Sequence, residues 1–478
     1  MGPIGFTDRL SNRLAEMVLR STCIELLFRC RLVSGLLLAA LAGCVHLPPA
    51  QDRASISQRL EQRMGQPIGP HALLDKFVVP PGVDLGRKLS EDEVVLLALW
   101  NNPLFQETLL DLQLTRADLV QAGLLPNPEV LYFFSAPEKA YRYVADFPIE
   151  ALWLRPIRIR NAHWENARAA ERLTQAALDL IRDARQAYAD VLLAKERVKI
   201  AQEALKLRSG IADLAAARRK RGDASEQEAA TARIDELQAS QDAARIGFEL
   251  PLADERLRNL ISLSGLTQPI AIDDAVPIRL LAPDQSMDGL TAEAMRSRPD
   301  FLAADHAVTA AVERLRLAKR SWFRLLGMAD ATAGFKTGHE FGPAARMTLP
   351  IFNWNQGGIA RAAAELEQLE RRRITVQNQI ALDVKQAYLR YQQAFAELDI
   401  LRQKIRPVVQ DNIRRADKTY QDGGASYVIV LETMRQFIDT DYREAQLKAD
   451  LFRFWAELER SVGRRLTRPL PAAPEPTP

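Results

Sequence analysis

Two long stretches of the chain carry apolar residues in a 3.5-residue rhythm. In the first, Leu173, Ala177, Leu180, Ala184, Ala187, Val191, Ala194, Val198, Ala201 and Leu205 step by four and three. In the second, Ile380, Val384, Ala387, Tyr391, Ala394, Leu398, Leu401 and Ile405 do the same. This is the seam of a coiled coil. Ile181, Tyr188 and Leu192 add a second apolar line, so the first helix has room for two partners. No proline falls between Pro156 and Pro251. The rhythm predicts a helix over about 158–217, roughly 90 Å long and too long for a compact globule. Pro251 and Pro407 are expected to kink their helices.

Ahead of each long helix the period changes to two. Val130, Tyr132 and Phe134 alternate, and after a turn containing Pro137 and Lys139 so do Tyr143, Ala145, Phe147 and Ile149. A second pair is expected at about 327–337 and 341–351, with Gly338 near its turn. Strands of about ten residues suit a bilayer crossing. Upstream, Ser90 and Glu93 form a capping box opening a run through Leu96, Leu97 and Leu99. Pro103 interrupts that run, and Leu109, Leu112 and Leu119 mark a further helix. Each long helix ends in a glycine turn: Gly222-Asp223-Ala224-Ser225 and Gly423-Gly424-Ala425-Ser426. Ser225 with Glu228 reads as a capping box for the returning helix.

The chain repeats itself once. The two glycine turns echo each other, Phe147-Pro148-Ile149 is echoed by Leu349-Pro350-Ile351, Asn102-Pro103 by Arg298-Pro299, and Leu260 through Gly265 by Leu458 through Gly463. The echoes lie about two hundred residues apart in the same order, which indicates a duplicated unit and not a short-period solenoid. The repeats are placed at 89–280 and 281–466.

The N-terminus changes the compartment. Arg20, Arg29 and Arg31 precede the apolar run 33–43, which is too short for a membrane-spanning helix and ends in Leu41-Ala42-Gly43-Cys44. This resembles a bacterial lipoprotein signal over 1–43, with Cys44 as the acylated first residue. One acyl signal anchors weakly, so the rest of the chain must also hold the membrane. Residues 44–88 read as an extended tail, and 467–478 as a proline-rich disordered tail. All three cysteines, Cys23, Cys30 and Cys44, lie in the first 44 residues, so no later disulfide or cysteine metal site is possible.

Composition removes other classes. The chain has 478 residues, 47% of them hydrophobic, too apolar for a disordered chain. Its 26% charged residues make a polytopic helical membrane protein equally unsuitable. Lys+Arg total 64 against 61 Asp+Glu, a net charge of +3 that gives no case for nucleic-acid binding. Five scattered histidines include no zinc-helix pair, and no catalytic constellation is visible, so neither enzyme nor metal site is expected. Ser225 and Ser426 read as caps. The run Arg218-Arg219-Lys220-Arg221 reads either as a solvated helix end beside a favourable dipole or as a contact surface.

Four strands cannot close a barrel, and membrane-embedded strands must close. Three copies would give a twelve-stranded barrel, within the usual range. Here the residues meet a known family. Leu125-Pro126-Asn127-Pro128, Arg298-Pro299-Asp300, the junction Leu349 through Gly358 and the two glycine turns resemble the TolC-like outer-membrane efflux proteins, lipoprotein branch, over about 88–466. The resemblance implies a mainly helical homotrimer with a small β part: an outer-membrane β-barrel on an α-helical periplasmic tunnel. It implies a passive exit duct with no cofactor, fed by an inner-membrane pump through a periplasmic adaptor. It places Arg218, Arg219, Arg221, Gly222, Gly423 and Gly424 at the adaptor-docking tips. The sequence departs from the family in two places. Trp322-Phe323-Arg324 stands where a proline often precedes the third strand. Ile429 and Glu432 stand where some members carry an acidic pair, so only Glu432 can be carried over as a gate residue. The alternative is a periplasmic coiled-coil adaptor or scaffold lipoprotein, against which the duplication and paired strands count. Metal ions and organic substrates stay equally open.

Overall fold

The computed structural model describes residues 48–70, 76–134, 141–264, 270–273, 285–334, 338–422, 424 and 427–466. These fall almost wholly within one compact unit, residues 50–478. The elements run α1 (Arg53–Met64), α2 (Glu91–Asn101), α3 (Pro103–Gly123), β1 (Glu129–Phe133), β2 (Tyr141–Pro148), α4 (Glu150–Arg221), α5 (Glu226–Gly247) and α6 (Glu249–Leu260). The second repeat runs α7 (Met287–Ser297), α8 (Pro299–Arg320), β3 (Leu325–Gly334), β4 (Gly338–Met347), α9 (Gln356–Ile400), a π-turn (Leu401–Ile405), α10 (Arg406–Gln421) and α11 (Tyr427–Val462). The fold is mainly helical with one small sheet, as the periodicity predicts.

The helices lie side by side in a layer. The centre is α4 beside α8 above and α11 below, where "above" means toward the sheet. One edge is α3 above and α5–α6 below; the other is α9 continued by α10. Thus α4 has a partner on each side, as its two apolar lines require. Leu173, Ala177, Leu180, Ala184, Ile181 and Tyr188 are all buried. Alanine at these positions lets neighbouring helix axes approach. At 72 residues α4 is longer than expected, about 108 Å, because it begins before Pro156. That proline sits in the second turn, where it removes one backbone donor without ending the helix.

The proline-marked helix starts meet the ends of their own repeats. Asn102 caps α3 by accepting from the Phe105 amide at 3.1 Å, and its Nδ2 donates to the carbonyl of Leu260 at 3.0 Å. Arg298, fully buried, precedes α8 and donates to the carbonyl of Ser461 at 3.3 Å. Each returning helix therefore ends against the start of the proline-marked helix of its own repeat. The echo aligns Gly265 with Gly463, but the structure pairs Ser262 with Gly463. Both stand just past the helix end with positive φ, 63° and 86°.

Three further expectations are corrected. The segment 44–88 is not wholly extended: it contains α1, whose Ile56, Leu60 and Met64 recur every four residues and are buried. The fourth strand begins at Gly338, three residues earlier than expected, since its ladder pairs Gly338 with Gly334. The break near Pro251 falls before it, between Gly247 and Glu249, so the proline occupies the tolerant first turn of α6. Pro407 does mark a distortion: the preceding turn widens to a π-turn, in which the Arg406 amide donates to the carbonyl of Leu401. The extra residue shifts the seam. Leu398 and Leu401 are buried, but Ile405 is turned out.

Candidate channel wall and tip clasp

The four strands form one antiparallel meander in the order β1-β2-β3-β4. The register pairs Tyr132 with Tyr143, Tyr143 with Ala331, and Ala331 with Phe341. Side chains alternate across a strand, so this register sorts the sheet into two faces. One holds Val130, Tyr132, Tyr141, Tyr143, Ala145, Phe147, Ala329, Ala331, Phe341 and Met347. The other holds the charged residues Glu129, Arg142, Asp146, Asp330 and Arg346, with Leu131, Phe133, Val144 and Met328 between them. Phe134, just beyond β1, packs edge-on against Tyr132 at 4.7 Å.

Among the described residues, neither face is covered by a helix. Val130 is 69% exposed and Phe341 70%. On the polar face Arg142 grips Asp330 through two nitrogens, one at 3.0 Å, and Arg346 lies 3.8 Å from Asp146. An apolar face and a charged face on one bare sheet suit lipid on one side and water on the other. The outer strands β1 and β4 have no further strand partner among the described residues.

The helical layer repeats this arrangement. Ile234, Leu237, Phe248 and Leu252 are exposed on the α5–α6 edge, and Leu382, Leu389, Ile400 and Val408 on the α9–α10 edge. Sheet and layer are thus both open, with two unlike edges. No described helix is long and apolar enough to cross a membrane.

At the far end of the layer the two glycine turns come together. Gly222 takes φ 84° and closes α4 by donating to the carbonyls of Arg218 and Arg219. The basic run divides there. Arg219 and Arg221 are exposed. Arg218 instead lies 4.7 Å over the Tyr420 ring and donates to the carbonyls of Tyr420 and Asp223, each at 3.4 Å. Ser225 accepts from the Glu228 amide at 3.0 Å, but the expected reciprocal half of the capping box gives way to a longer reach. Glu228 accepts from the Tyr420 hydroxyl at 3.0 Å. Two turns along α5, Tyr427 donates to Asp235 at 2.5 Å. Both tyrosine bonds join residues 192 positions apart, one from each repeat.

Burial, then the Glu228 bond, raises the Tyr420 phenol above its ordinary range; burial and Asp235 do the same to Tyr427. Beneath the clasp Ala212, Ala215, Ala232 and Val430 are buried with the two tyrosines. Gly424 is exposed and donates to the carbonyl of Thr419 at 2.9 Å. Glu432 is exposed on the first turns of α11, near exposed Ile429. Cys44 and Gly423 lie outside the described residues. The sequence pattern gives Glu228 only a capping role and assigns none to Tyr420, Tyr427 or Asp235. The available signal was two tyrosines flanking a glycine turn in an aromatic-poor region.

Residues 290–464 match the family model described as outer membrane efflux protein. Over that stretch, most of the second repeat, the chain is similar to the outer membrane efflux proteins. It is 24% identical over 395 residues to the cobalt-zinc-cadmium resistance protein CzcC of Cupriavidus metallidurans, covering 79% of this chain and 90% of that protein. Among solved structures, a membrane protein from Pseudomonas aeruginosa superposes with a TM-score of 0.68 at 17% identity, covering 88% of this chain and all (100%) of that one. CusC, described with its transmembrane channel formation, gives 0.67 at 18% identity, covering 88% of this chain and 100% of its own. The efflux-protein fold thus extends over both repeats.

Proposed function

We propose that this protein is the passive outer-membrane exit duct of a tripartite efflux system. The carrying observation is the bare two-faced sheet. Its apolar face suits lipid, its charged face suits a water-filled lumen, and its unpaired β1 and β4 edges require neighbouring copies. Edges of the helical layer fall on the same sides, so one rotation joins β4 to β1 and α9–α10 to α5–α6. Unlike edges make a heterologous contact that closes as a ring. Three copies give a twelve-stranded barrel continued by a helical tunnel across the periplasm. Acylation of Cys44 adds a lipid anchor.

The duct has no chemistry of its own, and its energy comes from an inner-membrane pump. The exposed Arg219, Arg221, Gly222 and Gly424 suit contact with a periplasmic adaptor. The Arg218–Tyr420–Glu228 and Tyr427–Asp235 contacts hold the two tips of a protomer together, and Glu432 in three copies would ring the entrance. The full chain, purified and inserted into planar lipid bilayers, should conduct. Carbonate extraction of cells carrying Cys44→Ser should leave the protein in the membrane. A soluble Cys44→Ser protein would favour the scaffold reading and overturn the barrel. For substrate, the resemblance to CzcC makes cobalt, zinc and cadmium salts the first panel, with organic antibiotics, dyes and detergents as the second. Sensitivity of a deletion strain, rescued by the wild-type gene, chooses between them.

A further inference from the structure

Where the sheet meets the helical layer, aromatic rings from both repeats touch in a row. Trp153 of α4 stacks on Phe323 at 6.5 Å, Phe323 meets Trp322 at 5.6 Å, and Trp322 meets Trp354 at 6.1 Å. The row continues the apolar face of the sheet. Alternation carries that face down β3 from Ala331 and Ala329 to Leu325, and on to Phe323. Ile149, just past β2, lies over Gly327 on the same face, one turn before Trp153. The lower margin of this surface stands open among the described residues, with Leu349 and Ile351 exposed and Phe352 91% exposed. Beside the row, the last turn of α8 carries two exposed cations, Lys319 and Arg320. Neither pairs with a carboxylate among the described residues, whereas Arg316, one turn earlier, reaches Glu313 at 2.5 Å. Nor are they needed to close the helix. The Ser321 amide donates to the carbonyl of Leu317 at 2.9 Å, and the Asn355 Nδ2 donates to that of Ala318 at 2.8 Å.

An indole is apolar in body and polar at its N–H, so it settles where acyl chains give way to headgroups. Lys319 and Arg320 come just before Ser321 and Trp322, which puts their charges at headgroup level. Unpaired cations there meet lipid phosphates. They favour lipids of net negative charge over zwitterions, whose own ammonium offsets the phosphate. We infer that the aromatic row and the two cations form a binding site for an anionic phospholipid of the periplasmic leaflet. The rings lie against the upper part of its acyl chains, and Lys319 and Arg320 hold its headgroup phosphate. Continuity with the apolar sheet face makes the occupant a lipid, and the charge selects which lipid. This inference rests on the duct reading, and it adds a lipid preference that a barrel does not by itself require.

The test places the full chain in nanodiscs that mix phosphatidylglycerol with phosphatidylcholine, one of the two brominated in each sample. Bromine quenches tryptophan fluorescence on contact. The signal of Trp322 and Trp354 is the part missing from the Trp322→Phe, Trp354→Phe double variant. Brominated phosphatidylglycerol should quench that signal with a relative affinity about fivefold or more above phosphatidylcholine, the factor one surface cation supplies. In Lys319→Gln with Arg320→Gln the ratio should fall to about one, and high salt should lower it in the wild type. Arg324→Gln removes a nearby charge that alternation puts on the opposite face, and should leave the ratio unchanged. No preference in the wild type would overturn the site, as would an equal fall for Arg324→Gln. No quenching of these rings by either lipid would show that a neighbouring copy seals them, and would overturn it too. A lower unfolding midpoint for the Lys319, Arg320 double variant in both lipids, with the preference kept, would make the two cations supports of the helix end instead. Conductance in planar bilayers of phosphatidylcholine alone is read in parallel. A conducting protein without lipid preference refutes the site and spares the duct, whereas a protein that never conducts refutes the duct.

Discussion

Tyr420 shows how much one hydroxyl can hold at the end of a hundred-ångström helix. Its ring carries Arg218 and its oxygen reaches Glu228 in the other repeat. A hydrogen bond to a charged group contributes about 1.5–3 kcal/mol, or roughly tenfold or more in an open–closed equilibrium. Tyr420→Phe alone should therefore raise channel open probability by about that factor in single-channel recordings. The pH dependence follows from the phenol. Its value is raised from an ordinary 10.0, so the donor form and its stabilisation are fully present below the ordinary phenol range. They are lost as pH rises through the raised value. Open probability should stay flat with respect to this group across neutral pH and climb only in strong alkali; a step near neutrality in wild type that Tyr420→Phe removes would contradict this. These residues escaped the sequence reading because a clasp between positions 192 apart has no local spacing to betray it. The basic run was visible, but only packing could separate bonded Arg218 from exposed Arg219 and Arg221.

At the scale of elements, periodicity was the readable quantity. The seam alanines were legible because a 3.5 rhythm of small residues has one plain structural meaning. Ala177 is fully buried, so Ala177→Leu should overpack the α4 seam and cost about 1–3 kcal/mol, read as a lower unfolding midpoint by circular dichroism. The sheet faces were half legible. Alternation gave the strands, but register needs pairing partners, and the fourth strand was placed three residues late. Register now makes a paired prediction. Ala331→Arg places a charge on the apolar face and should cost about 2–4 kcal/mol if near the membrane midplane, seen as reduced assembly in the outer membrane. Thr332→Arg, one residue along, joins the charged face beside Arg142 and should assemble normally. The π-turn was hidden because Ile405 continues the apolar rhythm while the backbone slips past it. Proline 407 signalled trouble there, though not its form.

For the molecule as a whole, duplication was the most informative sequence feature, and the two copies have not stayed alike. The first repeat keeps one unbroken helix where the second has a π-turn and a new start. The N-terminal segment looked like a mere tether, yet α1 ties the unit together. Arg63 donates to the carbonyl of Ser297 at 2.9 Å and accepts, through its own carbonyl, from the Arg465 amide at 2.9 Å. Arg59 meets Glu171 of α4 at 2.5 Å. Deleting residues 53–64 should lower the yield of assembled oligomer on native gels more than it lowers expression, because it uncovers the core that Ile56, Leu60 and Met64 pack into and unbinds both repeats at once. Short-range pattern could not reveal this, since Glu171, Ser297 and Arg465 lie more than a hundred residues from their partners on α1.

The unbroken length of α4 makes the protein a yardstick. Strand end and tip are joined by one rigid element of 72 residues, so the gap it can bridge is written directly into the gene. Each added heptad would lengthen that reach by about 10 Å and keep the seam in phase, whereas any other insertion would rotate the tip away from its partner helix. Machinery that meets the tips must be built to the same measure. Width changes in the cell envelope would then select for matched heptad gains or losses in every component at once.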